Sequence, residues 1–370
     1  MVFQRLRPKI AFAKMTLACQ SKGMTPALNS MRLSVAPMME CTDRHFRYLV
    51  RLISRHTRLY TEMVTANALV HSARAGRDPM RFLAHHVDEH PVALQLGGSD
   101  PALMAEAALM GTKAGFDEIN LNIGCPSDRV TTGKFGACLM AEPQLVAACV
   151  RSIRDAIGSV IPVTVKTRIG IDHHDSDAFL DDFVGVVAAA GCDTFIIHAR
   201  KAILAGLSPK ENREIPPLKY ERAYKLKREM PALTVILNGG VKTLGDIPAH
   251  LAEADGVMVG RAAYDAPYAL LAQADHLIFG DAHATPSETE IALAYLAYAE
   301  REVASGTRLH AVTRHAMGLF NSRPGARAWR RALSGVNTMP TPNDALDAIR
   351  ELLARNETDG VVSKRQPLAA

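Results

Sequence analysis

The sequence predicts an α/β protein in which a (β/α)8 TIM barrel is followed by a small C-terminal helical domain. Two observations support this prediction. Eight short apolar segments alternate with helix-like segments between residues 33 and 260, and only helix-like segments follow after about residue 281. An open doubly wound sheet is the alternative fold. It usually carries Gly-x-Gly-x-x-Gly after its first strand, whereas the segment APMMECTD here contains no glycine.

The predicted strands have cores of Val, Ile and Leu, which is typical of parallel strands buried on both faces. In chain order they are Leu33–Met38, Leu59–Val64, Pro91–Gly98, Glu118–Gly124, Pro162–Gly170, Thr194–Arg200, Leu233–Gly240 and Gly256–Gly260. Apolar residues at helical spacing predict helices over Thr42–Ser54, Pro101–Ala114, Pro143–Ile157 and Ser176–Ala190. We therefore expect a barrel over residues 31–280, a helical domain over 281–360 and a tail at 361–370.

The composition is that of an ordinary globular protein, with 48% hydrophobic and 22% charged residues. No segment approaches the roughly 18 consecutive apolar residues of a membrane span. The six cysteines form no Cys-x-x-Cys pair and no zinc-like cluster with histidine, so we expect no metal site. Scattered cysteines in a chain of this size are typical of reduced thiols, which predicts a cytoplasmic protein. We expect it to be a monomer.

Residues 1–30 contain basic residues and no acidic residue. This composition resembles an organelle transit peptide, but a start codon assigned too far upstream explains it equally well, with Met15, Met24 or Met31 as alternatives. We expect an N-terminal extension that is either disordered or upstream of the true start codon, and it plays no part in the fold prediction.

Functional residues of a TIM barrel lie at the C-terminal ends of its strands and in the loops that follow. Polar residues and glycines stand at the ends of the last six predicted strands: Gln95; Asn120, Asn122 and Cys125; Lys166 and Arg168; His198 and Arg200; Asn238, Gly239 and Gly240; Gly260 and Arg261. Barrels often bind phosphate after the seventh and eighth strands, through main-chain N–H groups and a helix N-terminus. The last two groups therefore predict a phosphate site, although such glycines can also serve only in tight turns.

Lys166 and His198 lie within strand patterns where a barrel interior would ordinarily hold Val, Ile or Leu. A single interior histidine is usually a core residue, but lysine is almost never buried without a partner. A lysine at the barrel mouth beside a phosphate site suits a cofactor that becomes anionic, as reduced flavin does at N1. Lys166 beside the predicted phosphate site therefore indicates a flavin site.

Cys125 follows Asn-Leu-Asn at a strand end, above the predicted flavin site, and is a candidate proton donor or nucleophile. An ordinary cysteine thiol is mostly protonated at neutral pH and can donate a proton. No His or Asp adjacent in the sequence suggests activation as a thiolate, so we favour the acid. Cys138, at the start of a helical stretch, is expected to pack.

Several segments, in this order along the chain, resemble the tRNA-dihydrouridine synthases: SVAPMMECTDRHFR, YTEMV, HPVALQLGGSDP, DEINLNIGCPSDRV, GKFGACLM, PVTVKTRIGID, FIIHARKAILAGLSPKENREIPPL, NGGVKTL and DGVMVGRAAY. The detail matches the bacterial A-type branch of that family, which acts on uridines 20 and 20a of the tRNA D-loop. The resemblance covers residues 31–335.

The resemblance implies a TIM barrel with bound FMN, and NADPH as the reductant. The residues that would lie against the flavin ring or bind it are Ala36, Pro37, Met38, Gln95, Lys166 and His198. Those that would hold the phosphate are Asn238, Gly239, Gly240, Gly260 and Arg261. Cys125 matches the family's proton donor and Asn122 a residue that meets the target nucleotide. Reduced FMN would give a hydride to C6 of uracil, and Cys125 a proton to C5 from the opposite side, which yields 5,6-dihydrouridine.

Two basic segments could bind the RNA around an extruded base. The loop after the sixth strand carries Arg200, Lys201, Lys210 and Arg213. The C-terminal region has no Asp or Glu between Val303 and Asn343 but contains Arg308, Arg314, Arg323, Arg327, Arg330 and Arg331, of which the last three share a helix face. A charge run is often only a solvated face, but the absence of acids favours phosphate contact. The resemblance adds that Lys210, Arg213, Arg327 and Arg330 would orient the tRNA.

Two alternatives remain at this point. One is an FMN barrel that oxidises or reduces a free pyrimidine, against which the acid-free arginine region argues. The other is an RNA-binding or chaperone module on an inactive barrel. Bound flavin and consumption of NADPH would separate the second alternative from an enzyme.

Overall fold

The computed structural model describes residues 30–127 and 133–363, with side chains as far as Arg355. Its strands form one parallel sheet: β1 (Leu33–Val35), β2 in two parts (Leu59–Tyr60 and Val64–Thr65), β3 (Val92–Gly97), β4 (Glu118–Ile123), β5 (Val163–Arg168), β6 (Thr194–His198), β7 (Thr234–Asn238) and β8 (Gly256–Val259). β1 pairs with β8, and the N–H of Arg58 donates to the carbonyl of Leu33 (3.0 Å), which closes the barrel. The predicted TIM barrel is confirmed.

The second strand is interrupted, whereas the sequence predicted one continuous strand over Leu59–Val64. Thr61 occupies the break, and its Oγ1 accepts the main-chain N–H of Gln95 (3.0 Å). A side-chain oxygen therefore takes the place of a main-chain carbonyl between β2 and β3. The register shifts as a result, because Tyr60 faces Ala93 but Val64 faces Leu96.

Helices cover the outside of the barrel: α1 (Arg44–Ile53), α2 (Ala66–Arg74), α3 (Met80–Leu83), α4 (Pro101–Ala114), α5 (Pro143–Ile157), α6 (Asp177–Ala189), α7 (Tyr220–Glu229), α8 (Ile247–Leu251), α9 (Arg261–Asp265), α10 (Pro267–Leu271) and α11 (Ala274–Phe279). The four helices predicted from apolar spacing are confirmed as α1, α4, α5 and α6. Their ends follow local chemistry: Asp100 caps α4 by accepting the N–H of Ala102 (2.9 Å), and Gly115 ends it at φ +98°.

Most large apolar residues of the strands face outward, toward the helices. Leu94, Leu121 and Phe195 belong to the main core between sheet and helices. Because side chains alternate along a strand, their neighbours point into the barrel. A small separate apolar cluster fills part of that interior, including Tyr60, Ile196 and Ile236. The interior also contains polar residues, of which Gln95, Glu118, Asn120 and Thr164 are fully buried.

The chain continues after the barrel as α12 (Glu288–Ala304), α13 (Leu309–Thr313), α14 (Ala326–Ser334) and α15 (Pro342–Ser363). Asp43, in the loop after β1, joins this region to the barrel. Its Oδ2 accepts hydrogen bonds from Arg314 (2.8 Å) and His315 (2.9 Å), while its Oδ1 caps α1. These partners hold the pKa of the Asp43 carboxyl well below its usual range, against the effect of burial. The domain boundary at residue 281 stays a prediction.

Within the described parts of the chain, no helix combines the length and the apolar character needed to cross a bilayer. The predicted N-terminal extension lies, apart from Ser30, outside the described residues. The predicted tail lies outside them from residue 364 onward.

Candidate active site at the barrel mouth

The parallel sheet brings the predicted strand-end residues to one edge of the barrel. Neighbouring strands pair Gln95 with Asn120, Asn122 with Lys166, and His198 with Asn238. Residues far apart in the sequence thereby lie side by side at the C-terminal ends of β3–β7. This edge is where TIM barrels hold their reacting groups.

Cys125 is held at this edge by its main chain. Asn122 Oδ1 accepts the N–H of Cys125 (3.0 Å) and of Gly124 (3.1 Å), while its Nδ2 donates to Gln95 Oε1 (2.9 Å). Arg168 Nε donates to the Gly124 carbonyl (3.1 Å). The half-buried thiol donates to Ser127 Oγ (3.4 Å). The loop is therefore fixed from both sides, and its thiol stays at the barrel mouth.

Lys166 reaches from β5 across β6 to Asn238 on β7, with 2.9 Å between Nζ and Oδ1. Asn238 Nδ2 donates in turn to the Met258 carbonyl (2.7 Å), so its oxygen faces the lysine. Burial and, to a smaller extent, repulsion by Arg168 lower the pKa of Lys166, against an opposing effect of the nearby Cys125, and the net pKa is about 7. An anion at this site would favour the charged amine.

The glycine pair after β7 has no room for side chains. Gly239 has φ +111°, and a Cβ there would lie 2.6 Å from the His198 ring. Gly240 has φ +74°, and its Cβ would lie 2.4 Å from Leu218. Both the left-handed conformation and the close packing require glycine. Bare main chain therefore lines this part of the mouth, beside the imidazole of His198.

The ends of β8 and β1 meet beside this glycine pair. A Cβ at Gly260 would lie 3.8 Å from the sulfur of Met38 and 4.0 Å from Ala36, so Ala36, Pro37 and Met38 flank the Gly260–Arg261 turn. Arg261 donates to Glu214 (2.7 Å) in an exposed ion pair. α9, which begins here, has only five residues. The glycines and cations, rather than a long helix, are therefore the features that suit an anion.

Positive charge dominates this mouth. Burial moves the pKa of His198 well below its usual value, and the charges of Arg168, Lys166, Arg200 and Arg213 add to the effect. The imidazole is therefore neutral at pH 7. Among the residues that the structure describes, no carboxylate forms an ion pair with Lys166, Arg168 or Arg213.

The predicted RNA contacts lie in two places. Lys210 and Arg213 are exposed in the loop between β6 and α7. Arg327 and Arg330 are exposed on α14, where Trp329 is buried and donates through Nε1 to the Ala316 carbonyl (2.8 Å). Arg330 also lines a cavity of about 210 Å³ with Tyr264, Asp265, Arg314 and Asn321, at the junction of α9 and the C-terminal helices.

Sequence reasoning assigned no role to some residues that organise the mouth. Arg168 donates to the main-chain carbonyls of Gly124, Lys201 and Asn212, so it joins the cysteine loop to the loop after β6. The buried Asn212 accepts the N–H of Ile203 (2.7 Å) and donates to its carbonyl (2.9 Å). The sequence showed Arg168 as a polar strand-end residue on the same interior face as Lys166, but not its contacts, which depend on loops distant in the sequence. Nothing in the local sequence marks Asn212.

Two other sequence predictions concern residues away from the reacting groups. Cys138 is half-buried against the core and donates to the Phe135 carbonyl (3.2 Å), in agreement with the expected packing. In the described part of the chain, no group of His, Cys, Asp and Glu side chains is arranged to hold a metal ion.

Comparison with known proteins identifies relatives along most of the chain. A family model described as dihydrouridine synthase (Dus) matches residues 34–354. The tRNA-dihydrouridine(20/20a) synthase of Escherichia coli is 57% identical over 306 residues, which are 82% of this chain and 86% of that protein. The protein of the same name from Vibrio cholerae is 53% identical over 328 residues, which are 88% and 97% of the two chains. This chain therefore belongs to the dihydrouridine synthase family.

Proposed function

We propose that this protein reduces uridine to 5,6-dihydrouridine at positions 20 and 20a of the tRNA D-loop, with FMN as bound cofactor and NADPH as reductant. The names of the relatives, at 53–57% identity over most of their length, support the substrate. The observation that carries the proposal is the thiol of Cys125, fixed beside a cationic cleft lined by bare glycine main chain.

The residues at the mouth suit FMN chemically. Gly239 and Gly240 present main chain without side chains at the end of β7, and a phosphate could approach their N–H groups. Lys166 and Arg168 supply cations without a described carboxylate partner. Ala36, Pro37 and Met38 offer an apolar surface for a flavin ring beside Gly260, and Gln95 offers an amide for its polar edge. Asn238 holds the Lys166 amine. His198 and Arg261 complete the set proposed to bind the cofactor.

The reduced flavin would supply the hydride that adds to C6 of the uracil ring. Cys125 would then donate the proton that C5 requires, because its thiol stands at the mouth and its main chain cannot move away while Asn122 and Arg168 hold it. Asn122 lies three residues before this thiol and would also meet the target nucleotide. Lys166 would stabilise negative charge on the reduced cofactor when its amine is protonated.

The tRNA would contact exposed cations around this opening. Lys210 and Arg213 border the mouth in the loop after β6, and Arg327 and Arg330 lie on α14. An extruded uridine could then enter the barrel while the surrounding backbone meets these side chains.

The proposal is tested with the purified full-length chain. We expect a yellow protein that releases FMN on denaturation, oxidises NADPH and forms dihydrouridine in tRNA from cells lacking the modification, measured by nucleoside mass spectrometry. Mapping of the modified positions should identify uridines 20 and 20a. A colourless protein that does not take up added FMN would overturn the cofactor assignment.

A further inference from the structure

A chain of hydrogen bonds crosses the barrel interior and ends at the loop of Cys125. It begins with a buried ion pair near the start of the strands, where Arg58 Nη1 lies 2.9 Å from Glu118 Oε2 and the two side chains are 3% and 0% exposed. The other carboxylate oxygen, Oε1, accepts the hydroxyls of Thr164 (2.6 Å) and Tyr60 (2.7 Å). Two hydroxyls therefore share one acceptor in a fully buried site.

Among the described residues, only the Thr164 branch leads toward the reacting groups. Asn120 Nδ2 donates to Thr164 Oγ1 (2.7 Å), and Gln95 Nε2 donates to Asn120 Oδ1 (2.8 Å). Asn122 Nδ2 donates to Gln95 Oε1 (2.9 Å), and Asn122 Oδ1 accepts the N–H of Cys125 (3.0 Å). No such chain leads from Tyr60 to the cysteine loop in the described residues.

The carboxylate at one end fixes the direction of every bond in this chain. Glu118, paired with a guanidinium, can only accept, so Thr164 has to donate its proton and accept from Asn120. Each following amide then has one possible orientation, although an isolated amide could be placed either way. The main-chain N–H groups at the other end require an acceptor, which is the orientation that Asn122 has. Aligned bonds also strengthen one another.

We propose that Thr164 and Asn120 are positioning residues for the reaction. Anchored on Glu118, they set the amide orientations of Gln95 and Asn122, and Asn122 in turn fixes the main chain of Cys125. This inference rests on the proposed function, because the position of Cys125 affects catalysis only if its thiol takes part in the reaction. Its structural content, that Thr164 controls the geometry of the cysteine loop from a distance, can be tested without flavin or tRNA.

The test compares two variants that lose the same kind of bond. Thr164→Val keeps the shape of the side chain but breaks the chain between Glu118 and Asn120. Tyr60→Phe removes the other hydroxyl that donates to the same carboxylate oxygen and leaves the chain intact. If Thr164 has only a structural role, the two variants should lose similar amounts of thermal stability and should not differ in Cys125 reactivity or in activity. Thr164→Ser restores the hydroxyl and should rescue every property.

The first readout is the rate at which iodoacetamide alkylates Cys125 in the folded protein, followed by peptide mass spectrometry so that Cys41 and the other thiols are scored separately. In Thr164→Val, the chain from Glu118 no longer fixes the Asn122 amide, and only the N–H groups of Gly124 and Cys125 still orient it, so the cysteine loop is held less firmly. We expect alkylation to be about three- to tenfold faster, the factor that corresponds to the removal of one hydrogen bond. Tyr60→Phe and Thr164→Ser should match the unaltered protein.

The second readout is the single-turnover rate of dihydrouridine formation by prereduced enzyme, with tRNA affinity measured alongside. We expect Thr164→Val to lower this rate by on the order of tenfold or more, since small displacements of a reacting group are costly, and to leave tRNA affinity unchanged. An unaltered protein without such activity would remove the proposed function but leave the alkylation comparison decisive. Equal alkylation rates in Thr164→Val and Tyr60→Phe would overturn the positioning inference.

Discussion

Two groups of cations in this molecule lack described carboxylate partners, and they differ in burial. Lys166 and Arg168 lie inside the barrel mouth, where burial and repulsion by neighbouring cations lower the pKa of both. Arg327, Arg330 and Arg331 lie exposed on α14. Buried cations in a fixed geometry suit one anion of defined shape, whereas exposed arginines suit a long phosphate backbone. The first group should therefore bind with a dependence on pH, and the second with a dependence on salt.

The largest expected effect comes from adding a side chain to the glycine pair at the barrel mouth, which should weaken the anion binding assigned to the buried cations. Gly239→Ala places a methyl group 2.6 Å from the His198 ring at φ +111°. We expect FMN affinity to fall by at least about tenfold, because both the strain and the collision oppose the binding conformation. Isothermal titration with FMN would measure the decrease. Gly245→Ala is the matched control, since its Cβ would meet only Thr243 Oγ1 at 3.7 Å.

The titration of Lys166 tests whether the buried cations bind their anion with a dependence on pH. With a pKa of about 7, its amine loses its charge as the pH rises through neutrality, while a bound anion would raise that pKa again. FMN binding should therefore take up a proton above pH 7, and affinity should fall by up to about tenfold per pH unit between about pH 7 and 9. Lys166→Arg keeps the charge in this range and should flatten the profile. An equally steep profile in that variant would assign the titration to another group.

Replacing the exposed arginines of α14 should have the smallest effect on affinity, but it should clearly change how tRNA binding depends on salt concentration. Replacing Arg327, Arg330 and Arg331 by Gln should weaken tRNA binding several-fold at low salt. It should also reduce the slope of log K against log salt by about 0.7–0.9 for each phosphate that the variant no longer binds. Arg350→Gln is the control, because Arg350 already pairs with Glu300 and Asp347, both at 2.9 Å. A slope unchanged in the triple variant would remove α14 from the RNA interface.

Most of the fold could be predicted from the sequence because its signals are local. Runs of Val, Ile and Leu predicted all eight barrel strands. Apolar residues at helical spacing between these runs predicted four of the helices. The break in β2 could not be predicted, since it depends on Thr61 meeting the N–H of Gln95 from a strand 34 residues further along the chain. The extra residue that it inserts has no signature in the local pattern.

The residues of the candidate site could be predicted from the sequence, but the hydrogen bonds between them could not. Strand-end polar residues are visible one at a time, and the sheet register alone decides that Asn122 lies beside Lys166. The polar chain from Glu118 to Asn122 escaped prediction because its members alternate with aliphatic residues on three strands. Gln95, Asn120 and Asn122 could be recognised singly as polar strand-end residues, whereas Glu118 and Thr164 could not. The link from Glu118 to the Cys125 loop becomes apparent only when the hydrogen bonds are followed across the barrel.

The measurement that tests the central claim most directly is dihydrouridine formation by Cys125→Ala. Prereduced protein would be mixed with tRNA lacking the modification, and the nucleosides analysed by mass spectrometry. We predict normal flavin content and NADPH oxidation, with dihydrouridine formation slowed by about 10²–10⁴-fold, the usual contribution of a positioned acid. A normal rate of product formation in this variant would show that the proton reaches C5 without Cys125 and would contradict the account.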